Sequence, residues 1–234
     1  MKLKGKLHNL CKNPNNLLLS ERHLGYFFRQ NEEAKNEHTG IGMVEVSMRK
    51  YITSNEWNSF FNAITDSINE CRDKTMFCLM YIHGLRVSEV SGLMMSDIDI
   101  HEKIIHIRRL KNGFSTVHPL HQKEVALLKA WVKLRHGYIC DPSRNWLFLS
   151  MYGEKISRQW IYKICKKYGR KSGIPVNIHP HMLRHACGYA LANQGMDTRL
   201  IQDYLGHRNI RHTVLYTASN VERFRKVWQN QSVL

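Results

Sequence analysis

The stretch HPHMLRHACGYALANQGMDTRLIQDYLGHRNIRHTVLYT, residues 179–217, carries the pattern that decides the fold. Gly195 and Gly206 lie where the C-terminal caps of helices belong. The stretch therefore predicts three helices, over about 180–194, 198–205 and 211–217. Within the first helix, His181 and Arg184 are three positions apart and project from the same face.

Upstream of this stretch, the sequence alternates helical patterns with one sheet signal. Thr53 and Glu56 form a capping-box pattern ahead of apolar residues at helical spacing. Residues 103–108 and 114–118 flank Asn112-Gly113, a pair typical of tight hairpins. Further helices are predicted over about 74–83, 86–93, 122–136 and 157–172. The expected fold class is mainly α with a small antiparallel β-sheet (α+β).

The charge balance points to a polyanionic partner. The chain has 234 residues, with 35 Lys and Arg against 19 Asp and Glu and a formal net charge of +16. Residues 155–234 alone hold fourteen basic and three acidic residues. A folded domain this basic is expected to bind nucleic acid.

Several other classes of protein are disfavoured. No apolar run reaches the roughly 18 residues of a spanning helix, and the basic start is not followed by a signal-peptide pattern. The six cysteines form no C-x-x-C pair, so we expect reduced thiols in a cytoplasmic protein. No membrane partner is expected.

One ordered set of residues carries the candidate chemistry. The sequence contains the following motifs in this order: Gly84-Leu85-Arg86-x-Ser88-Glu89, a lysine in the hairpin, His181-x-x-Arg184, Leu205-Gly206-His207 and a tyrosine nine positions after His207. The set comprises Arg86, Lys111, His181, Arg184, His207 and Tyr216. Isolated members would be read as surface charges or packed rings, but the ordered set is far more specific.

These motifs resemble the tyrosine recombinase (phage integrase) family over its catalytic domain, from about 50 to 228. The runs 197–213 and 109–116 resemble the short recombinases that invert a fimbrial promoter segment in bacterial phase variation. The resemblance implies a tyrosine recombinase catalytic-domain fold and a site-specific recombinase that cleaves and rejoins duplex DNA through a 3′-phosphotyrosine. It implies a homotetramer on DNA with inverted repeats, with accessory DNA-bending proteins as further candidate partners.

The resemblance also implies a role for each catalytic residue. Tyr216 is the expected nucleophile, within bonding reach of a phosphorus held by Arg86 and Arg184, whose fork-shaped guanidinium groups suit bidentate contact with phosphate oxygens. Lys111 is expected to protonate the leaving 5′-oxygen. His181 is expected to manage the nucleophile's proton and His207 to donate to a phosphate oxygen.

Two further residues are expected to support the site. Glu89 is predicted to position the Arg86 guanidinium, and His185 to form a structural hydrogen bond beside Arg184. No cofactor is expected, since two arginines and a histidine can stabilise the charge that a metal would otherwise neutralise. A metal cluster of the histidines between 179 and 212 is disfavoured because no H-E-x-x-H motif or cysteine partner accompanies them.

The helix over 157–172 is the candidate DNA-binding element. Its buried face is predicted to hold Trp160, Ile161, Ile164 and Tyr168. The candidate DNA-binding residues are Arg158, Lys163, Lys166, Lys167, Arg170 and Lys171. A merely solubilising face is the alternative reading.

The expected organisation is an N-terminal arm (1–48), a catalytic domain (49–218) and a C-terminal helix or tail (219–234). The arm is too short for the separate DNA-clamping domain of typical members. The tail either docks on a neighbouring protomer or folds back on its own core. Two functional alternatives stay open: a DNA-binding transcriptional regulator that does not cut, and a relaxing topoisomerase.

Overall fold

The structure is a computed structural model that describes residues 49–109, 113–138 and 145–218. The predicted arm (1–48), the tail (219–234) and Lys111 lie outside these residues.

The described part of the chain is mostly helical. In chain order its elements are α1 (Ser54–Asn62), α2 (Glu70–Ile82), α3 (Val87–Ser91), β1 (Ile98–Asp99), β2 (Ile104–Ile107), β3 (Thr116–Pro119), α4 (Gln122–Arg135), α5 (Arg158–Lys171), α6 (Pro180–Asn193), α7 (Thr198–Leu205) and α8 (Arg211–Thr217). Short 3₁₀ turns span Met95–Asp97 and His136–Tyr138. The predicted α+β class is confirmed.

Side-chain caps set the starts of the helices that matter for the site. The capping box of α1 forms as predicted: the Thr53 amide donates to Glu56 at 2.7 Å, and Thr53 Oγ1 accepts from the Glu56 amide at 3.3 Å. Asp197 caps α7 by accepting from the amides of Arg199 and Leu200 at 2.8 and 2.9 Å. Gly206 then ends α7 with a left-handed φ of 64°.

The sheet has three antiparallel strands in the order β1-β2-β3. The predicted hairpin is β2–β3, in which Ile105 pairs with His118 and Ile107 with Thr116. Strand β1 was not expected from the sequence, because two residues are too few to show an alternating pattern.

Apolar packing divides into a large and a small cluster. The large one surrounds α2, which buries nearly every side chain, and takes in residues of α1, α4, α5 and the first half of α6. The small one lies where the second half of α6 meets α7 and α8; its buried members are Cys187, Ala192, Ile201, Leu205 and Tyr216. The candidate active site spans both clusters.

The expected buried face of α5 needs one correction. Ile161, Ile164 and Tyr168 are buried, but Trp160 is 41% exposed. Cys165, one turn beyond Ile161, occupies the core instead. The buried face of α5 is a narrow stripe of the helix surface, and position 160 lies just outside this stripe, so the Trp160 side chain is partly in solvent.

Candidate active site

Arg86 stands at the start of α3 and is held by Glu89 within the same first turn. Its Nη1 donates to Glu89 Oε1 at 2.7 Å, and its backbone amide donates to Oε2 at 2.9 Å. The Glu89 side chain is 1% exposed while that of Arg86 is 27% exposed. One carboxylate therefore fixes a guanidinium group that still reaches solvent, which is the contact predicted from the sequence.

Arg184, on α6, lies behind Arg86 and is 1% exposed. Its Nη1 donates to the Gly84 carbonyl at 2.5 Å and its Nη2 to the Leu205 carbonyl at 2.7 Å. Burial lowers the pKa of Arg184 to about 10, with Arg86 and a further arginine, Arg109, adding to the effect. The group remains a cation at neutral pH, and it ties the turn before α3 to the end of α7.

His207 follows the left-handed Gly206 and is 8% exposed. Its Nδ1 lies 2.9 Å from Thr213 Oγ1 on α8. Burial lowers the pKa of His207 to about 3, and the positive charges of Arg184 and Arg86 contribute. The ring is therefore neutral near pH 7 and is in place to hydrogen-bond an oxygen atom.

Arg86 and His207 open onto one cleft of about 800 Å³. Its other lining residues are Gly113, Arg199, Gln202, Gly206, Arg208, Asn209, Ile210 and His212. Counting Arg86, three arginines line this cleft and make it suited to a phosphate group. Of these residues, Arg199, Arg208 and His212 were not identified from the sequence, because isolated exposed charges carry no distinguishing pattern.

Tyr216 is buried, whereas the expected nucleophile would have to come within bonding reach of a phosphorus atom. The side chain is buried, with 2% exposure, and its hydroxyl lies 2.9 Å from His185 Nδ1. The rings of Tyr189, His185 and His207 surround it at centroid distances of 5.1, 5.8 and 6.3 Å. Burial raises the pKa of Tyr216 to about 12, although Arg184 acts in the opposite direction. The Tyr216 side chain does not line the cleft that Arg86 and His207 share.

The two histidines of α6 have different surroundings. His185 holds Tyr216, rather than only supporting Arg184 as the sequence suggested. Burial lowers the pKa of His185 to about 4, with His181 the next cause, so the ring that hydrogen-bonds the Tyr216 hydroxyl is neutral near pH 7. His181 is exposed at the protein surface. Partial desolvation of its ring by neighbouring atoms, together with the positive charge of Arg184, still lowers its pKa.

The candidate DNA-binding cations of α5 lie on its solvent-facing side, and one of them, Lys171, is already paired within the protein. Arg158, Lys163, Lys167 and Arg170 are exposed and Lys166 is partly exposed. Lys171 is also exposed, but its Nζ donates to Thr65 Oγ1 at 2.6 Å and to Asp66 Oδ2 at 2.9 Å. Part of its charge is thus already neutralised within the protein.

Within the part of the chain that the structure describes, no group of three or more His, Cys, Asp or Glu could hold a metal ion. In the same residues, no helix is both long and apolar enough to cross a bilayer.

The described residues thus form a helical domain with a three-stranded sheet, in which a cleft lined by arginines and a histidine lies close to a buried tyrosine. The phage integrase family matches residues 50–223. The chain belongs to this family, and it is a tyrosine-type site-specific recombinase.

Two curated relatives are similar along most of their length. The chain is 52% identical over 180 residues to the type 1 fimbriae regulatory protein FimB of Escherichia coli K12, covering 77% of this chain and 90% of the relative. It is 46% identical over 189 residues to FimE of the same strain, covering 81% and 96%.

Solved structures agree on the fold. The XerA recombinase superposes with a TM-score of 0.67 at 25% identity, covering 82% of this chain and 66% of that one. XerH bound to its difH substrate before cleavage superposes with a TM-score of 0.64 at 22% identity, covering 88% and 62%. The predicted recombinase catalytic-domain fold is confirmed.

Proposed function

We propose that this recombinase inverts a promoter segment between inverted DNA repeats and thereby switches fimbrial expression. The similarity to FimB and FimE, named as fimbrial regulators, supports this substrate. The observation that carries the chemistry is the Arg86–Glu89–Arg184 cluster, whose exposed member, Arg86, lines one cleft together with His207.

The reaction conserves the energy of the broken bond. The Tyr216 oxygen attacks the scissile phosphorus, a 3′-phosphotyrosine ester forms, and the bond to the 5′-oxygen breaks. Lys111 gives the leaving 5′-oxygen its proton, while His181 takes the phenolic proton. Attack by the 5′-hydroxyl of a partner strand reverses these steps and releases Tyr216. No nucleotide cofactor is consumed.

Electrostatics explain how the site favours the transition state. Negative charge grows on the two non-bridging oxygens during attack. Arg86 and His207, which line the cleft, would donate to those oxygens, and the buried cation of Arg184 behind them would add a favourable electrostatic field. The same positive charges lower the free energy of the phenolate once Tyr216 leaves its buried seat. We therefore expect that movement of α8 and binding of DNA together bring Tyr216 into its reactive, deprotonated form.

DNA contact is proposed for α5. Lys163, Lys167 and Arg170 lie on its outer face and would contact backbone phosphates, while Lys171 contributes less because Asp66 already neutralises it. Binding should weaken steeply with added salt.

The assembly is proposed to be a homotetramer at two synapsed repeats in the bacterial cytoplasm, associated with the nucleoid. The arm (1–48) precedes a catalytic domain (49–218), and the tail (219–234) docks on a neighbouring protomer. Accessory DNA-bending proteins would bring the two repeats together. Removal of residues after 220 should abolish cooperative synapsis in a gel-shift assay.

A second candidate function is favoured by the burial of Tyr216. A regulator that binds DNA without cutting would have no need to expose the phenol. The two candidates differ in whether a covalent DNA adduct forms.

The test uses a duplex selected from random sequence by its binding to this chain, nicked next to the cleavage position to trap the adduct. Wild type should give a covalent complex on a denaturing gel and Tyr216→Phe none, a loss of at least about 10³-fold. Tyr162→Phe, an exposed tyrosine on α5, is the matched control. An adduct that survives Tyr216→Phe refutes the nucleophile, and no adduct with wild type supports the non-cutting regulator.

Relaxation of plasmids regardless of sequence would instead indicate a topoisomerase. Supercoiled plasmids with and without the selected site separate the two activities. We expect strand transfer only between plasmids that carry the site.

A further inference from the structure

Arg109 is a buried arginine just beyond strand β2, and it is outside the six-residue set. It is 6% exposed, and its side chain is fully covered. Nη1 donates to Glu89 Oε2 at 2.9 Å, while Nη2 donates to the carbonyl of Tyr204 at 2.6 Å and that of His83 at 3.3 Å. A single guanidinium thus joins α3, the end of α2 and the end of α7.

The contacts converge on the groups that hold the phosphate cleft. Glu89, which fixes Arg86, shares its Oε2 with Arg109, and Arg184 Nη1 lies 3.9 Å from the same oxygen. Burial alone would raise the pKa of Glu89, but Arg109 is the largest opposing influence, and the net pKa lies below its ordinary value. Three guanidinium groups around one carboxylate leave positive charge in excess for an incoming phosphate.

A second observation ties Arg109 to the Leu205-Gly206-His207 motif. A Cβ on Gly206 would lie 2.7 Å from Arg109 Cγ and 2.9 Å from its Nε. The glycine is needed for its left-handed φ, and it also leaves room for the arginine stem. Tyr204, whose carbonyl Arg109 holds, is three residues before His207. The position of His207 therefore depends on Arg109.

We propose that Arg109 is a positioning residue of the recombination site, which sets Arg86 and His207 at their working separation through Glu89 and the end of α7. It touches no DNA, because its side chain is fully covered. This inference rests on the proposed cleavage chemistry.

Arg109→Lys and Arg109→Met test the role. Lysine keeps the charge but cannot donate from one planar fork to three acceptors, whereas methionine removes both. The control is Arg108→Lys: this neighbouring side chain is 55% exposed and pairs with Asp97 instead. Single-turnover adduct formation on the nicked duplex should fall on the order of 10²-fold for Arg109→Met and about tenfold for Arg109→Lys. Arg108→Lys should stay within about twofold of wild type.

Three readouts separate positioning from simple destabilisation. DNA affinity should stay within about threefold of wild type, so that the loss falls on the chemical step. Combining Arg109→Lys with Glu89→Gln should cost less than the product of the two single effects, because both act on one network. Rates are corrected for the folded fraction measured by thermal unfolding.

Orthovanadate binding, measured by calorimetry, does not depend on cleavage. Arg109→Met should bind this phosphate mimic at least about tenfold more weakly than wild type and Arg108→Lys equally well. A normal rate per folded molecule in Arg109→Lys, additive effects with Glu89→Gln, or unchanged vanadate affinity in Arg109→Met would each overturn the role. If wild type forms no adduct, the proposed function fails, and the vanadate result alone decides on Arg109.

Discussion

The proposed phosphate-binding half of this site, around Arg86 and Arg184, and the proposed nucleophile half, around Tyr216, are held in different ways. Arg86, Glu89 and Arg184 are interlocked by hydrogen bonds and stand against the large core around α2. Tyr216 belongs to the small cluster, on a helix of only seven residues whose amino end is held by a side-chain contact, from the Arg211 amide to Asn209 Oδ1 at 2.9 Å. Helix α8 also leaves Val214 and Leu215 about two-fifths exposed, at 42% and 40%.

The difference indicates how a covered nucleophile is compatible with catalysis. A short helix that packs on a small apolar cluster opens at lower free energy than the elements of the main core. The phosphate-binding groups would therefore stay in place while α8 moves and delivers Tyr216 to the cleft.

The largest change in stability should come from a substitution in the phosphate-binding half. Arg184→Met leaves the Gly84 and Leu205 carbonyls without their donor and takes one cation from Glu89. We expect a loss of about 3–5 kcal/mol in the free energy of unfolding, because buried polar partners are left unpaired. Tyr216→Phe removes one hydrogen bond and should cost only about 1 kcal/mol. Urea denaturation compares the two.

Both variants should lose the covalent adduct, so stability is the quantity that distinguishes them. Losses of equal size would mean that Tyr216 is held as firmly as Arg184, which would contradict the comparison. Arg199→Met, an exposed arginine that lines the cleft, is the control for loss of charge alone.

The next effect concerns the seat of Tyr216 on α6. A Cβ on Gly188 would lie 2.7 Å from Cε2 and Cζ of the Tyr216 ring. Gly188→Ala should therefore displace the phenol at a cost of about 1–3 kcal/mol. Amide hydrogen exchange should accelerate at least about tenfold in residues 211–218 and much less in α2. Faster exchange spread equally over both helices would show that the two halves open together.

The same two halves explain what the sequence could predict. The capping box at Thr53, the hairpin and the helices of the 179–217 stretch follow local patterns, so their bounds were predicted within a few residues. The six-residue set was found because its members occur in a family order. Burial of Tyr216 and the role of Arg109 depend on how distant segments pack, and no local spacing encodes that. Lys111 and the tail remain predictions.

Mild acid should destabilise the surroundings of Tyr216, where His185 is kept neutral by burial. The pKa of His185 is about 4 in the folded chain against an ordinary 6.5. Below pH 6.5 the unfolded chain takes up a proton that the folded chain does not, so stability falls as the pH drops toward 4. Glu89 is an acid whose pKa is lowered in the folded chain. Its contribution to the free energy of unfolding is therefore complete above pH 4.5, its ordinary pKa, and is lost only as the pH falls below that value.

His185→Gln should reduce the stability lost between pH 7 and pH 5 by about 1 kcal/mol, after allowance for solvent screening. Glutamine can still accept from the Tyr216 hydroxyl. His101→Gln, whose side chain is 95% exposed, should leave the loss unchanged. An identical acid sensitivity in wild type and His185→Gln would mean that this histidine titrates normally in the folded chain.

The smallest effect should come from the outer face of α8. Val214→Thr keeps the side-chain shape, and because 42% of the side chain is already exposed, we expect a change below about 0.5 kcal/mol in the free energy of unfolding. Thr213→Val, the neighbouring substitution at a fully buried position, removes the partner of His207 Nδ1 and should cost about 1–2 kcal/mol. A cost above about 1 kcal/mol for Val214→Thr would mean that other residues cover this face in solution. Helix α8 would then be anchored on both sides, and release of Tyr216 would require a second contact to break.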